Sequence, residues 1–376
     1  MSLSLPADPP SARSLTGVLP QLLGSLTGTP DWFPPARSAI VVMVDGLGRA
    51  NLTARAGHAR FLTARMAKKD AARTVFPSTT AAALTSLLTG ESPGIHGIVG
   101  YSVRVPETGR AVNQLQGWET DGLDPERWQR SEPLLAREAA AGRPCFVVSK
   151  PAYAATGFTR AIQRGATFVG VAAAVDRLTE AARLAARHPG ALIYVYLSEL
   201  DATGHAHGWE SDRWLSRLET VDADVQRFEE VLDPGVGAVL TADHGMVDVP
   251  AHRQVRLGAG DPLLADVSVM AGEPRMLHLY ADGDAPAVLE RWRAAEGERS
   301  WVLSRGEAIE AGLFGPGVHP EVASRIGDVL VAARAGIAYY DDRLTDKKAQ
   351  RMIGQHGSLT DQERIVPLIR LGAFAR

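Results

Sequence analysis

The chain has 376 residues, of which 45% are hydrophobic and 22% charged, as in a globular protein that buries a sizeable core. Its formal net charge of -3 gives no support to a surface that binds a nucleic-acid duplex. The single cysteine, Cys145, excludes an internal disulfide and suits a reducing compartment. The sequence has neither an apolar run of the ~18–20 residues that span a membrane nor a signal-peptide pattern. We therefore expect a cytoplasmic protein that does not associate with membranes.

Four short runs rich in β-branched residues predict buried strands of one sheet. Each run after the first follows a helical stretch, and this alternation predicts an α/β fold. The sheet is expected to be mostly parallel, with helices on both faces, and to bind its ligand beyond the carboxyl ends of the strands. The predicted strands are 38–44, 144–149, 191–197 and 237–242, and the predicted helices are 134–141, 172–187 and 214–231.

The pattern changes between residues 254 and 355, where shorter and more mixed elements predict a small α+β unit. We expect a catalytic α/β core over 1–253, an inserted cap subdomain over 254–355, and a return to the core sheet over 356–376. The predicted elements of the cap are strands 275–281 and 300–304, a helix at 285–296 that makes this a βαβ-type unit, and a hairpin at 327–340.

Acidic residues follow three of the predicted core strands, and histidines lie close to two of them in sequence. The carboxyl ends of parallel strands meet at one sheet edge, so we expect these side chains to lie together. Carboxylates and imidazoles suit zinc, or manganese if oxygen ligands dominate. His207 is a weaker candidate from the same loop as His205. The sequence therefore predicts a metal site formed by Asp45, Asp201, His205, Asp243, His244 and, near the C-terminus, His356.

A pair of threonines precedes a run of small and apolar residues that is typical of a helix. In TVFPSTTAAALTSLLTG, residues 74–90, Thr79 and Thr80 stand directly before the helical stretch Ala81–Leu88. Serine and threonine are ordinary helix caps, and a helix N-terminus also binds anions. From these residues alone two interpretations stay open: a helix cap, or a nucleophile held where a phosphoryl group binds.

Five segments together resemble the alkaline phosphatase superfamily and, within it, the type I phosphodiesterase/nucleotide pyrophosphatase family. They are VVMVDGLG, VFPSTTAAALTSLLTGESPGIHGIVG, LDATGHAHG, TADHGM and HGSLTDQERIVPL, in the family's order and over most of the chain. The combination of D-x-x-x-H, D-H-G and a late H-G is specific to the family. The resemblance implies an alkaline phosphatase-like three-layer sandwich and a phosphoric ester hydrolase with two zinc ions.

The resemblance also implies a role for each matching residue. Thr80 becomes the nucleophile, while Ser78 or Thr79 is left to cap the helix. One zinc is expected to be held by Asp45, Asp243, His244 and the Thr80 oxygen, and the other by Asp201, His205 and His356. A threonine is a poor nucleophile until a cation lowers the pKa of its hydroxyl. Two metals about 4 Å apart stabilise both the attacking and the leaving oxygen.

The sequence departs from the family pattern at residues expected to contact substrate. Ala82 and Ala83 stand where nucleotide pyrophosphatases usually have a Pro-Asn pair, and Tyr101 stands where the family has its phosphate-binding asparagine. A phenol donates one hydrogen bond, so Tyr101 is the expected substitute. Asn113, in AVNQLQGW, is a second candidate donor.

The leading prediction is a two-zinc hydrolase that cleaves a phosphodiester or nucleotide pyrophosphate bond through a phosphothreonine intermediate. Its substrate is expected to be a small phosphate ester or a nucleotide. Alternatives from the same superfamily are a phosphonoacetate-type phosphonate hydrolase and a phosphomonoesterase. The sequence offers no counterpart of the arginine that binds a phosphate dianion, which favours diesters. A metal-stabilised scaffold protein is the non-enzyme alternative, but all six metal ligands and Thr80 are present.

Overall fold

The computed structural model describes residues 4–9 and 11–375. Its strands are β1 (Ser38–Val44), β2 (Ala71–Arg73), β3 (Ser102–Arg104), β4 (Ala111–Asn113), β5 (Cys145–Ser149), β6 (Thr167–Gly170), β7 (Leu192–Leu197), β8 (Val236–Thr241), β9 (Val247–Asp248), β10 (Gln254–Leu257), β11 (Val267–Glu273), β12 (Met276–Ala281), β13 (Ser300–Ser304), β14 (Val329–Ala333), β15 (Ala338–Asp341), β16 (Gly354–Gln355) and β17 (Ile365–Gly372). Its α-helices are α1 (Leu15–Thr27), α2 (Arg49–Ala54), α3 (Arg60–Arg65), α4 (Thr80–Thr89), α5 (Pro93–His96), α6 (Pro125–Trp128), α7 (Leu134–Ala140), α8 (Gly157–Gln163), α9 (Ala174–Arg187), α10 (Glu199–His207), α11 (Asp212–Glu230), α12 (Ala285–Glu296), α13 (Arg305–Glu310), α14 (Pro320–Ala323) and α15 (Asp361–Arg364). None of these helices is long and apolar enough to cross a membrane, and the cytoplasmic location stays a prediction.

A seven-stranded mixed sheet with the order β2-β17-β8-β1-β7-β5-β6 lies at the centre of the fold. Strand β1 pairs in parallel with β7 on one side and with β8 on the other. Only β17 runs against the others, since it is antiparallel to both β8 and β2. The four predicted core strands are each confirmed to within one residue at either end, and the mostly parallel sheet is confirmed with them.

Strand β1 shows why helices cover both faces of this sheet. All seven of its residues are buried, and successive side chains of a strand point to opposite faces. Its odd-numbered apolar residues pack in a core shared with α1 and α4, and its even-numbered ones in a core shared with α9 and α11. A strand that is apolar on both faces therefore requires three layers, as the family resemblance implied.

A second, antiparallel sheet with the order β11-β12-β14-β13 has its own apolar core together with α12. Strands β12 and β13 are both antiparallel to β14, which lies between them, so they run parallel to each other and flank α12 as the predicted βαβ unit. The hairpin predicted at 327–340 is wrong. Both edges of β14 are already paired, so β15 continues past it and pairs in parallel with β10. The division of the chain at residues 253 and 355 stays a proposal.

One fully buried ion pair connects the second sheet to the C-terminal loop. Arg275, in the turn between β11 and β12, donates two hydrogen bonds of 2.7 and 2.8 Å to the Glu363 carboxylate of α15. Both side chains are 0% exposed. Arg275 also donates to the carbonyls of Ala333, Ala335 and Ile337, and Glu363 accepts the Ser358 N–H at 3.0 Å. The charges are therefore paired and hydrogen-bonded, as burial requires.

We expect Arg275→Met to lower the free energy of unfolding by about 3–5 kcal/mol, because it leaves the buried Glu363 carboxylate without its partner. Chemical denaturation measures this loss, and Arg275→Met with Glu363→Met is expected to recover part of it. The matched control is Lys348→Met, which breaks an exposed pair with Asp346 and is expected to change stability by less than about 1 kcal/mol. Equal losses of unfolding free energy in Arg275→Met and Lys348→Met would contradict the prediction.

Candidate active site

The predicted metal ligands come together at the carboxyl edge of the central sheet. Asp45 follows β1 and Asp243 follows β8, while Asp201 lies in the first turn of α10, just after β7. Because β1 lies between β7 and β8, these three acidic residues stand at adjacent strand ends. His205 lies one helical turn after Asp201 on α10, and the loop after β16 brings in His356.

One group of ligand atoms is centred on His244. Its Nε2 atom lies 3.4 Å from Asp45 Oδ1 and 3.5 Å from Asp243 Oδ2. The Thr80 hydroxyl donates to the same nitrogen at 3.2 Å. The ligand atoms of Asp45, Asp243 and His244 all lie within 4.8 Å of one another. This is the set expected for the first metal, and Thr80 lies against it.

The second group differs in one member from the set expected for the second metal. Ligand atoms of Asp201, His244 and His356 lie within 4.8 Å of one another, so His244 takes the place expected for His205. The His205 Nε2 atom is nevertheless only 3.4 Å from Asp201 Oδ1, and its ring centroid is 5.1 Å from that of His356. His207 is half-buried and contacts Arg213 instead.

All three histidines of the site are held in the same tautomer by the backbone. A carbonyl oxygen can only accept a hydrogen bond, so each Nδ1 must carry the hydrogen and each Nε2 keeps its lone pair. Metal-binding histidines are commonly oriented in this way. The Nδ1 contacts are His205 to the Gly354 carbonyl at 2.7 Å, His244 to the Gly245 carbonyl at 3.1 Å and His356 to the Ser78 carbonyl at 2.9 Å.

The acidic residues present buried oxygens that have no hydrogen-bond partner within residues 4–9 and 11–375: Asp45 Oδ1, Asp201 Oδ1 and Asp243 Oδ2. Burial, reinforced by the neighbouring carboxylates, raises the pKa of Asp45 well above its usual range and that of Asp201 to about 6. Burial also lowers the pKa of His244 to about 3. Unpaired carboxylate oxygens that face neutral imidazole nitrogens fit a divalent cation such as zinc.

Tyr196 is a member of the site that sequence reasoning missed. It lies on β7, and its hydroxyl donates to Asp45 Oδ2, which leaves Asp45 Oδ1 facing His244. The residue types of β7 could have indicated this contact. Tyr194 and Tyr196 are two phenols in an otherwise apolar buried strand, and a buried phenol usually has a hydrogen-bond partner.

Thr80 is the first residue of α4, whose ten residues are all buried. Thr79 occupies the N-cap position of this helix, as one of the two expected alternatives, but neither it nor Ser78 makes a side-chain capping hydrogen bond. The Ser78 hydroxyl donates to the Ser358 carbonyl at 2.7 Å, and the Thr79 hydroxyl is buried with no partner in the described part of the chain. Because no described side chain accepts from the first turn, its amides are left for an anion beside Thr80.

The two expected substrate-binding residues lie beside each other at the ends of two neighbouring strands. Tyr101 precedes β3 and Asn113 ends β4, the antiparallel partner of β3. Burial raises the pKa of the Tyr101 phenol, and the hydrogen bond from Asn113 opposes that shift. The Asn113 carbonyl oxygen also accepts the N–H groups of Leu115 and Gln116. The Tyr101 backbone N–H donates to Glu273 Oε2 at 2.8 Å, and burial raises the pKa of the Glu273 carboxyl to about 8.

A cavity of about 320 Å³ opens beside the Tyr196 ring. Leu84, one turn after Thr80 on α4, lines it, so the cavity is adjacent to the site. Its walls are mainly apolar and aromatic, and the only charged residue among the described ones that line it is Glu119. The other lining residues are Leu115, Gln116, Ser149, Ala152, Tyr153, Thr156, Phe158, Thr159 and Gln163.

The sequence profile of the type I phosphodiesterase/nucleotide pyrophosphatase family matches residues 39–359. The matched range is most of the chain and contains all the residues of the site described above. The chain belongs to this family. The resemblance and the predicted enzyme class, a phosphoric ester hydrolase, are confirmed by this membership.

Two curated relatives match shorter stretches. The chain is 37% identical over 116 residues to a phosphopentomutase of Methylobacterium radiotolerans, which is 30% of this chain and 26% of that protein. It is 43% identical over 68 residues to the alkaline phosphatase PhoD of Zymomonas mobilis, which is 17% of this chain and 12% of that protein. The chain thus matches about a quarter or less of the length of these relatives.

Two solved structures share the fold over nearly the whole chain. An inactive threonine-to-alanine variant of murine ectonucleotide pyrophosphatase/phosphodiesterase 5, in complex with AMP, has a TM-score of 0.70 at 18% identity and covers 90% of this chain and 88% of that one. Phosphonoacetate hydrolase from Sinorhizobium meliloti, in complex with phosphonoformate, has a TM-score of 0.68 at 20% identity and covers 90% and 91%. The alkaline phosphatase-like fold is confirmed by these similarities.

We expect His205→Ala to weaken the binding of one zinc ion by at least about tenfold, because loss of even an indirect partner of a metal ligand costs that much. Calorimetric titration of chelator-treated protein with zinc measures the affinity and the number of ions bound. His207→Ala is the matched control on the same helix and is expected to bind zinc like the wild type. Unchanged zinc binding in both variants would show that His205 is not a ligand.

Proposed function

We propose that the chain is a two-zinc hydrolase that cleaves phosphodiester or nucleotide pyrophosphate bonds through a phosphothreonine intermediate. The observation that carries this proposal is the juxtaposition of Thr80 with the buried cluster. Its hydroxyl lies 3.2 Å from His244 Nε2, where the unpaired oxygens of three carboxylates converge. A hydroxyl has little reason to be buried among cation ligands unless it reacts there.

In this proposal Asp45, Asp243 and His244 hold one zinc next to Thr80, and Asp201, His205 and His356 hold the other. The ions would supply Lewis-acid activation of the threonine hydroxyl and charge stabilisation of the leaving oxygen. Manganese is the alternative metal, since half of the six ligands are carboxylates. The backbone carbonyls that fix each histidine tautomer and the Tyr196 hydroxyl on Asp45 keep the ligand atoms in place.

The chain's own residues account for the remaining steps. The Thr80 hydroxyl loses its proton as its oxygen attacks phosphorus and bonds to it, while the ester bond breaks and the leaving oxygen keeps the electron pair and can take up a proton from solvent. Water then cleaves the phosphothreonine and restores the hydroxyl. The first-turn amides of α4 and the Tyr101 phenol would bind the nonbridging oxygens, where negative charge accumulates. Tyr101 thereby takes the role of the family's phosphate-binding asparagine.

The cavity beside Tyr196 favours an ester with an uncharged aromatic substituent. Its aromatic walls suit a base or aryl ring, whereas Glu119 repels a substrate carboxylate. Lys150 follows the lining residue Ser149, but its ammonium group pairs with Glu199 at 3.2 Å instead of offering its charge to a substrate carboxylate. The AMP bound by the murine relative agrees with this preference. Hydrolysis of a phosphonate that carries a carboxylate is therefore the less favoured alternative.

We expect Thr80→Ala to lower turnover of bis-p-nitrophenyl phosphate by about 10³-fold or more, because it removes the nucleophile. The assay adds zinc and compares this diester with p-nitrophenyl phosphate and phosphonoacetate. Thr79→Ala, which removes the neighbouring buried hydroxyl, is the matched control and is expected to keep most of the activity.

Three outcomes would contradict the proposal in different ways. Equal activity in Thr80→Ala would mean that this threonine only begins a helix. A preference for phosphonoacetate would make the chain a phosphonate hydrolase, and a preference for the monoester would make it a phosphomonoesterase. Zinc-dependent diester cleavage that is lost in Thr80→Ala alone would support both the reaction class and the nucleophile.

We expect Tyr101→Phe to lower kcat/KM for the diester by about 10-fold to 100-fold, as loss of one hydrogen bond to a charged oxygen costs about 1.5–3 kcal/mol. Asn113→Ala is expected to have a smaller effect, since Asn113 lies beside Tyr101 and would act on the phosphoryl group only through the phenol. Steady-state kinetics measure both. If neither variant changes kcat/KM, the nonbridging oxygens are bound by backbone amides and metal alone.

A further inference from the structure

Strands β11 and β12 of the second sheet pack against the segment that carries Tyr101. Five hydrogen bonds join them along 99–104. They are His278 Nε2 to the Val99 carbonyl at 3.1 Å, the Tyr101 N–H to Glu273 Oε2 at 2.8 Å, the Ser102 hydroxyl to the Gly272 carbonyl at 2.9 Å, the Gly272 N–H to the Ser102 hydroxyl at 3.0 Å and the Arg104 N–H to the Tyr280 hydroxyl at 3.0 Å. The second sheet thus fixes the course of this segment.

Glu273 also reaches the loop that carries His356. Gly357 has a φ of +126°, and a Cβ atom there would lie only 2.4 Å from Glu273 Cγ. Only glycine tolerates both that backbone conformation and this close approach. The Gly357 carbonyl accepts the Ser78 N–H at 3.1 Å. Glu273 therefore lies between Tyr101 on one side and, on the other, the loop that joins His356 to the segment before Thr80.

The Glu273 side chain is 6% exposed, and its Oε1 atom has no hydrogen-bond partner in the described residues. A buried carboxyl group with an unsatisfied oxygen reduces stability compared with a well-packed apolar side chain. A residue whose only role was to brace the two segments would not need this group. Its Oε2 atom accepts a hydrogen bond from the Tyr101 N–H.

We propose that Glu273 is a positioning residue of the active site, which holds Tyr101 at a fixed place relative to the His356 loop. This inference rests on the proposed function, in which the Tyr101 phenol binds the phosphoryl group. Glu273 acts through the backbone of Tyr101 and does not touch the substrate. The second sheet thereby contributes to phosphoryl binding although it supplies none of the expected metal ligands.

A double-mutant cycle tests this role. Glu273→Met keeps much of the side-chain volume but removes the acceptor, and we expect it to lower kcat/KM for the diester about tenfold. In a Tyr101→Phe background the same substitution is expected to cost less than about twofold, because the hydroxyl that it misplaces is already absent. Glu273→Gln keeps an acceptor for the Tyr101 N–H and is expected to restore activity to within about threefold of the wild type.

Tyr280→Phe is the matched control, because it removes a contact between the same sheet and the same segment at Arg104. It is expected to leave kcat/KM within about twofold of the wild type. Thermal unfolding and zinc content are measured for every variant, so that loss of folding or of metal is separated from loss of positioning. Glu273→Ala replaces Glu273→Met in the cycle if the methionine variant does not fold.

Equal losses in the two backgrounds would overturn the proposal, as would a loss in Tyr280→Phe that matches that of Glu273→Met. The proposal would also be overturned if Glu273→Gln lowered kcat/KM for the diester as much as Glu273→Met does. These failures differ from failure of the proposed function. If the wild type does not cleave the diester with zinc, or if Thr80→Ala is fully active, the proposed function is wrong whatever the Glu273 variants do.

Discussion

The site depends on three largely buried carboxylates at one sheet edge, with which no lysine or arginine of the described residues forms an ion pair. Asp45, Asp201 and Asp243 face imidazole nitrogens that carry lone pairs. At low dielectric, like charges about 4 Å apart repel by several kcal/mol. Such an arrangement requires that the fold force the groups together and that protonation or a bound cation remove the repulsion. The hydrogen bonds of Tyr196 to Asp45 and of the histidine Nδ1 atoms to backbone carbonyls hold the remaining carboxylate oxygen and the Nε2 atoms toward the centre of the site.

The sheet supplies the force that brings these groups together. Because β1 is paired along its whole length with β7 and β8, the three strand ends cannot separate without breaking the apolar cores on both faces. The histidines are each held by a backbone carbonyl, which belongs to a distant segment for His205 and His356 and to the next residue for His244. Burial of apolar side chains on both faces of the sheet therefore stabilises the strands that keep the expected metal ligands close together.

The sequence predicted local features well and contacts between distant segments poorly. The core strands were predicted because runs such as SAIVVMV are apolar on both faces, and the acidic residues because they follow those strands. The hairpin at 327–340 failed because the availability of a strand edge depends on the whole sheet. Tyr196 contacts Asp45 across 151 positions and Glu273 contacts Tyr101 across 172, so no local spacing reveals either pair. The prediction that Ser78 could cap α4 failed for the same reason, since its hydroxyl donates to the carbonyl of the distant Ser358.

The tyrosine that replaces the family's asparagine explains why the second sheet matters to the proposed chemistry. A phenol extends further from the backbone than an amide does, so its oxygen moves more for a given shift of the main chain. Tyr101 is restrained at its backbone N–H by Glu273, and Asn113 lies beside it on the neighbouring strand. Glu273 can reach that N–H only because Gly357 lacks a side chain. In the proposed function these four residues form one unit, and a change at any of them alters how the phosphoryl group is held.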